Sequence, residues 1–67
     1  MDQFLKRAFE GFLDTVDSRG FTTYDFMEYV KRRYPKRTPA SNEVGHLCRR
    51  SSRVIYDPDE RCYMVIA

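Results

Sequence analysis

The side chains best suited to chemistry in this sequence are basic, and they gather in one segment of the chain. Segment 31–53 holds eight Lys or Arg residues and one acidic residue, a net charge of +7, although the whole 67-residue chain carries only +2. The flanking segments 1–30 and 54–67 have net charges of −3 and −2. A solvated face rarely gathers so much charge of one sign, so this segregation indicates a surface that meets an anionic partner.

Candidate catalytic and metal-binding residues are sparse. Asp57 and Asp59 lie in a predicted hairpin tip, where no pocket is expected. His46 and Cys48 lie two residues apart, which on a helix points them to different sides and suits neither a nucleophile–base pair nor a metal site. The sequence has only one further cysteine, Cys62. We predict no enzymatic activity, no metal, no cofactor and no small-molecule substrate, with both cysteines as buried thiols that need no disulfide.

Length and composition predict a single small folded domain, residues 1–67. Apolar residues make up 42% of the chain, and a chain of this size buries about 60% of its unfolded surface, which leaves room for only a small core. No apolar run approaches the roughly 18 residues that span a membrane. The charged N-terminal segment also lacks the apolar stretch of a signal peptide. We therefore expect an intracellular, cytoplasmic protein, associated with the nucleoid if it is prokaryotic.

The first predicted helix runs from Asp2 to about Val16. Its apolar residues occupy one half of a helical wheel and its polar residues occupy the other half. An apolar sector this wide exceeds the need of one small core, and Phe4 lies at its edge. We expect most of the sector to enter the core and a homodimer to form through residues 2–16.

A second helix follows a polar turn and a short extended step at Phe21, whose side chain we expect in the core. Thr22 or Thr23 is placed to cap this helix at its N-terminus. The apolar period continues to about Tyr34, and Pro35 ends the helix. Basic residues in its last turn suit the helix dipole, which explains only part of the positive segment.

The third predicted helix covers about residues 39–51, with Pro39 at its first position after Thr38 and Ser41 as an alternative cap. Its apolar sector spans about 100° of the wheel and contains Ala40, Val44, Leu47, Cys48 and Ser51. The opposite side is polar and basic, with Asn42, His46 and Arg49 at its centre and Gly45 and Arg50 at its flanks. A hairpin is then predicted from RVIY (53–56) and CYMVI (62–66), whose β-branched and aromatic residues favour strands.

This order of elements resembles the winged helix-turn-helix superfamily. The resemblance covers nearly the whole chain and is carried by the 22–34 helix, the PKRT turn, the ASNEVGHLCRR helix and the RVIY…CYMVI wing. It implies an α+β fold, a three-helix winged helix-turn-helix with a C-terminal β-hairpin wing. Known members lay their third helix in the DNA major groove. The resemblance thus implies a small transcriptional regulator that binds double-stranded DNA with sequence specificity or partial specificity.

The resemblance also implies two sets of DNA contacts. The residues expected to face base edges are Ser41, Asn42, Gly45, His46 and Arg49. The residues expected to contact phosphates are Lys31, Arg33, Lys36, Arg37, Thr38, Arg50 and Arg53. Side-chain chemistry agrees with the first set, because Asn pairs bidentately with adenine and Arg with guanine. Close approach to a ligand or relief of crowding against a neighbouring helix would each explain Gly45.

One feature departs from the superfamily pattern. The wing tip carries three carboxylates, Asp57, Asp59 and Glu60, which DNA phosphates would repel. An alternative is therefore a winged helix that contacts another protein, because a fold does not fix a function. A further alternative is RNA binding, which would use exposed aromatic residues. Tyr24 and Tyr29, expected outside the core sector of the second helix, are the candidates.

Overall fold

The structure, a computed structural model, describes residues 3–66. Its elements in chain order are α1 (Gln3–Leu13), α2 (Thr23–Arg33), α3 (Ser41–Arg50), β1 (Val54–Asp57) and β2 (Cys62–Val65). The two strands pair antiparallel. The predicted α+β class, with three helices followed by a C-terminal hairpin, is confirmed. Among the described helices, none combines the length and apolar character needed to cross a membrane.

One hydrophobic core joins the three helices and the hairpin. Its buried members are Leu5, Ala8, Phe9, Phe12, Leu13, Phe21, Phe26, Val30, Val44, Leu47, Cys48 and Val54. Aromatic rings dominate its centre, where Phe9 and Phe12 of α1 each approach the Phe26 ring with centroids 5.2 Å apart. Full burial of such a side chain contributes about 1.5–3 kcal/mol. The apolar side of α1 is therefore used largely within the chain's own core.

Helix α1 ends at Leu13, three residues earlier than the predicted end at Val16. The Thr15 hydroxyl and its backbone N–H both donate to the Phe12 carbonyl, at 2.7 and 2.9 Å. In a longer helix the Phe12 carbonyl would instead accept the backbone N–H of Val16. The prediction that the helix continues to Val16 was therefore wrong. The predicted start, Asp2, lies outside the described residues.

Helix α2 begins as its sequence predicts. The Thr22 side chain accepts a hydrogen bond from the backbone N–H of Asp25, whose carboxylate accepts one from the Thr22 N–H. This reciprocal pair is a capping box, which satisfies two backbone donors that the helix leaves unpaired. At the other end, the Tyr34 N–H donates to the Val30 carbonyl at 2.7 Å, immediately before Pro35.

Helix α3 begins at Ser41, so the prediction of a start at Pro39 was wrong. Ala40 keeps an extended backbone and precedes the first helical residue, and its carbonyl accepts the N–H of Val44 at 3.2 Å. Pro39 instead lines a groove with Phe4 and Leu5 of α1.

The hairpin packs one face against the helices, as predicted. Val54 is paired with Val65 and Tyr56 with Tyr63, which places these four side chains on one face. On the other side of β2, Phe21 pairs with Tyr63 through two backbone hydrogen bonds of 2.7 and 2.8 Å. The extended step between α1 and α2 is therefore joined to the sheet, and its Phe21 side chain is buried in the core as expected.

Candidate nucleic-acid interface

Helix α3 has sharply different inner and outer sides. Val44, Leu47 and Cys48 are buried in the core, at 0%, 6% and 2% exposure. The outer side exposes Ser41, Asn42, His46 and Arg49, four of the five predicted base-reading residues. The apolar period of the sequence therefore orients this helix correctly, with its hydrogen-bonding groups directed to solvent.

Gly45, the fifth predicted base-reading residue, is buried. A Cβ atom at Gly45 would lie 3.3 Å from one terminal nitrogen of the Arg49 guanidinium and 3.8 Å from its central carbon. The arginine side chain thus lies back over the glycine, one turn along the same helix. Neither reason predicted for this glycine describes that contact. Gly45 provides space for the Arg49 guanidinium.

The predicted phosphate-contacting residues of α2 and the following turn are exposed: Lys31, Arg33, Lys36, Arg37 and Thr38. Arg37 also has an intramolecular contact, because its guanidinium lies 4.5 Å from the centre of the Phe4 ring. That ring in turn meets Tyr34 edge to face, with centroids 4.8 Å apart. The contact anchors the turn to α1 and places Phe4 against the turn.

Arg50, at the end of α3, is exposed, whereas Arg53 is directed toward α1. The Arg53 guanidinium forms ion pairs with Glu10 and, at 3.3 Å, with Asp14. The hydrogen bonds that Arg53 donates to the Glu10 and Asp14 carboxylates raise the pKa of Arg53 above its ordinary value. This residue was predicted to contact phosphate, and in the structure its charge links the hairpin start to α1.

Five other cations of the segment are not neutralised in this way. Within residues 3–66, none of Lys31, Arg33, Lys36, Arg49 and Arg50 forms an ion pair with a carboxylate. Their charge is therefore available at the surface. The carboxylates that would balance it lie mainly in segments 1–30 and 54–67.

A hollow lies between α3 and β1, beside the Arg49 side chain. Its lining consists of Cys48, Arg49, Val54, Ile55, Tyr56 and Tyr63. Tyr56 is 49% exposed, and its ring meets the Tyr63 ring edge to face at 5.1 Å. Burial raises the pKa of Tyr63, while the charge of Arg49 lowers it in part. Arg49 and both tyrosines therefore share one hollow.

The hairpin tip beyond this hollow is acidic and tightly turned. The Asp57 carboxylate accepts hydrogen bonds from the backbone N–H groups of Asp59 and Glu60, at 3.0 and 3.3 Å. Arg61 follows in the left-handed region with φ 54°. Asp57 thus helps to shape the turn, and the Asp59 and Glu60 side chains are exposed.

The two cysteines differ in their surroundings. Cys48 is buried in the core, which raises its pKa to about 11. Cys62 is half-buried on the face of the hairpin opposite Tyr63, and both thiols are free. Cys62 therefore departs from the prediction of two buried thiols. Among the described residues, no three His, Cys, Asp or Glu side chains come together as a potential metal site.

Tyr29 is a further residue that the sequence places wrongly. It was expected outside the core sector of α2, but its ring packs against Phe12 at 5.2 Å and is partly buried. Tyr24, by contrast, is 66% exposed. The sequence also did not predict the hollow beside Tyr56. Strand alternation places the Tyr56 side chain on the inner face of the hairpin, but it does not show that the ring lies beyond the edge of the core.

The chain is an α+β protein of three helices and a C-terminal hairpin, an arrangement compatible with a winged helix architecture. Comparisons with protein-family models, curated proteins and solved structures found no match.

Proposed function

We propose that this protein is a winged helix-turn-helix regulator that binds double-stranded DNA. In this proposal α3 enters the major groove, and the surrounding Lys and Arg side chains contact phosphates. The observation that carries the proposal is the outer side of α3. Asn42, His46 and Arg49 are exposed there, while Val44, Leu47 and Cys48 hold the opposite side of the helix in the core.

The positive segment supports phosphate contact around that helix. Lys31 and Lys36 precede α3, Arg50 ends it, and all three are exposed. Such contacts supply affinity that does not depend on sequence. Arg53 has a different role in the proposal, since Glu10 and Asp14 hold its guanidinium against α1. Gly45 likewise contacts Arg49 rather than DNA in this proposal. The exposed residues Ser41, Asn42, His46 and Arg49 read the bases.

Contact with another protein is the second candidate function. The hairpin exposes two large aliphatic side chains, Ile55 at 56% and Ile66 at 61%. Exposed apolar residues on one element are typical of a protein interface, although two residues alone make a small patch. RNA binding through α2 has less support, because Tyr29 is packed against the core.

A salt titration tests the proposal most directly. Binding to a short DNA duplex should have micromolar or better affinity at low salt. The slope of log K against log[salt] should correspond to about 4–6 phosphates, because each neutralised phosphate releases counterion. A flat salt response, or no binding at low salt, would contradict DNA binding.

Specificity requires a second experiment. Selection from random duplex DNA should enrich one site, on which Asn42→Ala and Arg49→Ala should each cost about 1–3 kcal/mol and relax sequence preference. Lys36→Ala is the matched control, because loss of a phosphate contact should weaken binding to all sequences alike. If all three variants lost equal affinity on selected and random DNA, α3 would not read bases.

A further inference from the structure

An aromatic row runs from the core to the surface at the hollow between α3 and β1. The Phe12 and Phe21 rings lie 5.1 Å apart, and Phe21 stacks on Tyr63 at 5.6 Å with an angle of 24° between their planes. Tyr63 then meets Tyr56 at 5.1 Å. The inner members are buried or half-buried, and Tyr56 is the exposed end. A ring placed on Tyr56 would extend a row that the core already holds in place.

The charges around the hollow limit which kind of ligand could supply such a ring. Arg49 lines the hollow, so a cationic peptide would be repelled there. The exposed carboxylates of Asp59 and Glu60 lie at the hairpin tip that follows β1, so a phosphate would be repelled on that side. An uncharged planar group on a phosphate backbone avoids both repulsions if the backbone lies toward α3. A nucleobase is such a group.

A base within an intact duplex cannot occupy the hollow, because its two faces are covered by its neighbours in the stack. We propose that the hollow lined by Arg49, Tyr56 and Tyr63 binds a single unpaired nucleobase of DNA, so that the protein prefers duplexes with an extrahelical base. The preference rests on the proposed DNA-binding function and adds a substrate class to it. Tyr56 provides the stacking face, and Arg49 provides hydrogen-bond donors for the base edge or the adjoining phosphate.

Two duplexes of the same sequence test the preference, one fully paired and one with a single extrahelical 2-aminopurine. Stacking of one base on an aromatic ring predicts about tenfold tighter binding of the second duplex. Stacking on Tyr56 should also quench 2-aminopurine fluorescence as the complex forms. Equal affinity for the two duplexes, or unchanged fluorescence, would overturn the proposal.

Variants assign the effect to the aromatic face. Tyr56→Leu keeps apolar cover over Tyr63 but removes the ring, so it should lose both the preference and the quenching, while Tyr56→Phe should keep both. Tyr24→Leu is the matched control, because it removes an exposed tyrosine of α2 that does not line the hollow. The wild-type fluorescence change tests the proposal even if Tyr56→Leu fails to fold.

The outcomes also separate this proposal from the one on which it rests. Binding to paired DNA without any preference for the extrahelical base would overturn only the base-binding hollow. Failure to bind either duplex at low salt would overturn both proposals. Tighter binding of an RNA duplex with the same extrahelical base would overturn the assignment of the hollow to DNA.

Discussion

Replacement of Gly45 by alanine tests the contact between this glycine and Arg49. Gly45 lies inside α3, where alanine is about 0.8–1.0 kcal/mol more favourable than glycine. The added methyl group would meet an Arg49 terminal nitrogen at 3.3 Å, so the guanidinium must move by a few tenths of an ångström. Because that nitrogen is the far end of a flexible side chain, the move costs less than the helix gains. We expect a net stabilisation of about 0.5–1 kcal/mol.

Thermal unfolding followed by circular dichroism measures this gain. For a chain of this length, about 1 kcal/mol corresponds to an increase in Tm of roughly 4–8 °C, and urea unfolding gives the free energy independently. In an Arg49→Ala background the obstacle is absent, so Gly45→Ala should yield the full gain of about 1 kcal/mol. The difference between the two backgrounds is the cost of moving the guanidinium. Destabilisation in both backgrounds would refute the idea that Gly45 serves only to make room for Arg49.

Three further predictions concern stability. Thr22→Ala should lower the free energy of unfolding by about 1 kcal/mol, measured in urea, because the capping box loses its hydroxyl; an unchanged value would contradict that role. Phe26→Ala should lower the free energy of unfolding by about 3–5 kcal/mol, because Phe26 is fully buried. Tyr24→Ala should change it by less than about 0.5 kcal/mol, and equal losses in the two variants would contradict the position of Phe26 in the core. Burial raises the pKa of Cys48 from 9.0 to about 11, so the Cys48 contribution to stability should be constant below pH 9 and fall as pH rises toward 11. In urea titrations at a series of pH values, the free energy of unfolding of Cys48→Ala should therefore fall less steeply over this range than that of the wild type. An identical fall in the two proteins would contradict the burial of this thiol.

Local patterns in the sequence predict the elements and their orientation well. The 3.6-residue period places Val44 and Leu47 inward and Asn42 and His46 outward, and the structure agrees. The α2 cap could be predicted because Thr22 and Asp25 are close in sequence and need no distant partner. These features depend on neighbouring residues alone, which is the information that periodicity and capping rules use.

The features that sequence reasoning missed depend on residues far apart in the chain. Arg53 meets Glu10 across 43 positions, so nothing in the basic segment itself distinguishes Arg53 from a surface cation. Tyr29 lies at the edge of a helical sector, and contact with Phe12 of α1 decides that it turns inward. Pro39 satisfies the rule for a first helical residue, but in the structure it lines a groove with Phe4 and Leu5 of α1 and lies outside the helix.

The pairing of Phe21 with Tyr63 has a consequence for the order of folding. Their backbone hydrogen bonds close a loop of about 40 residues, and the entropy lost in closing a loop grows with its length. The helices and the hairpin depend on near neighbours and can form before that closure. We therefore expect the Phe21–Tyr63 contact to be absent or weak in the folding transition state. Substitutions that weaken only the Phe21–Tyr63 contact should then accelerate unfolding far more than they slow folding.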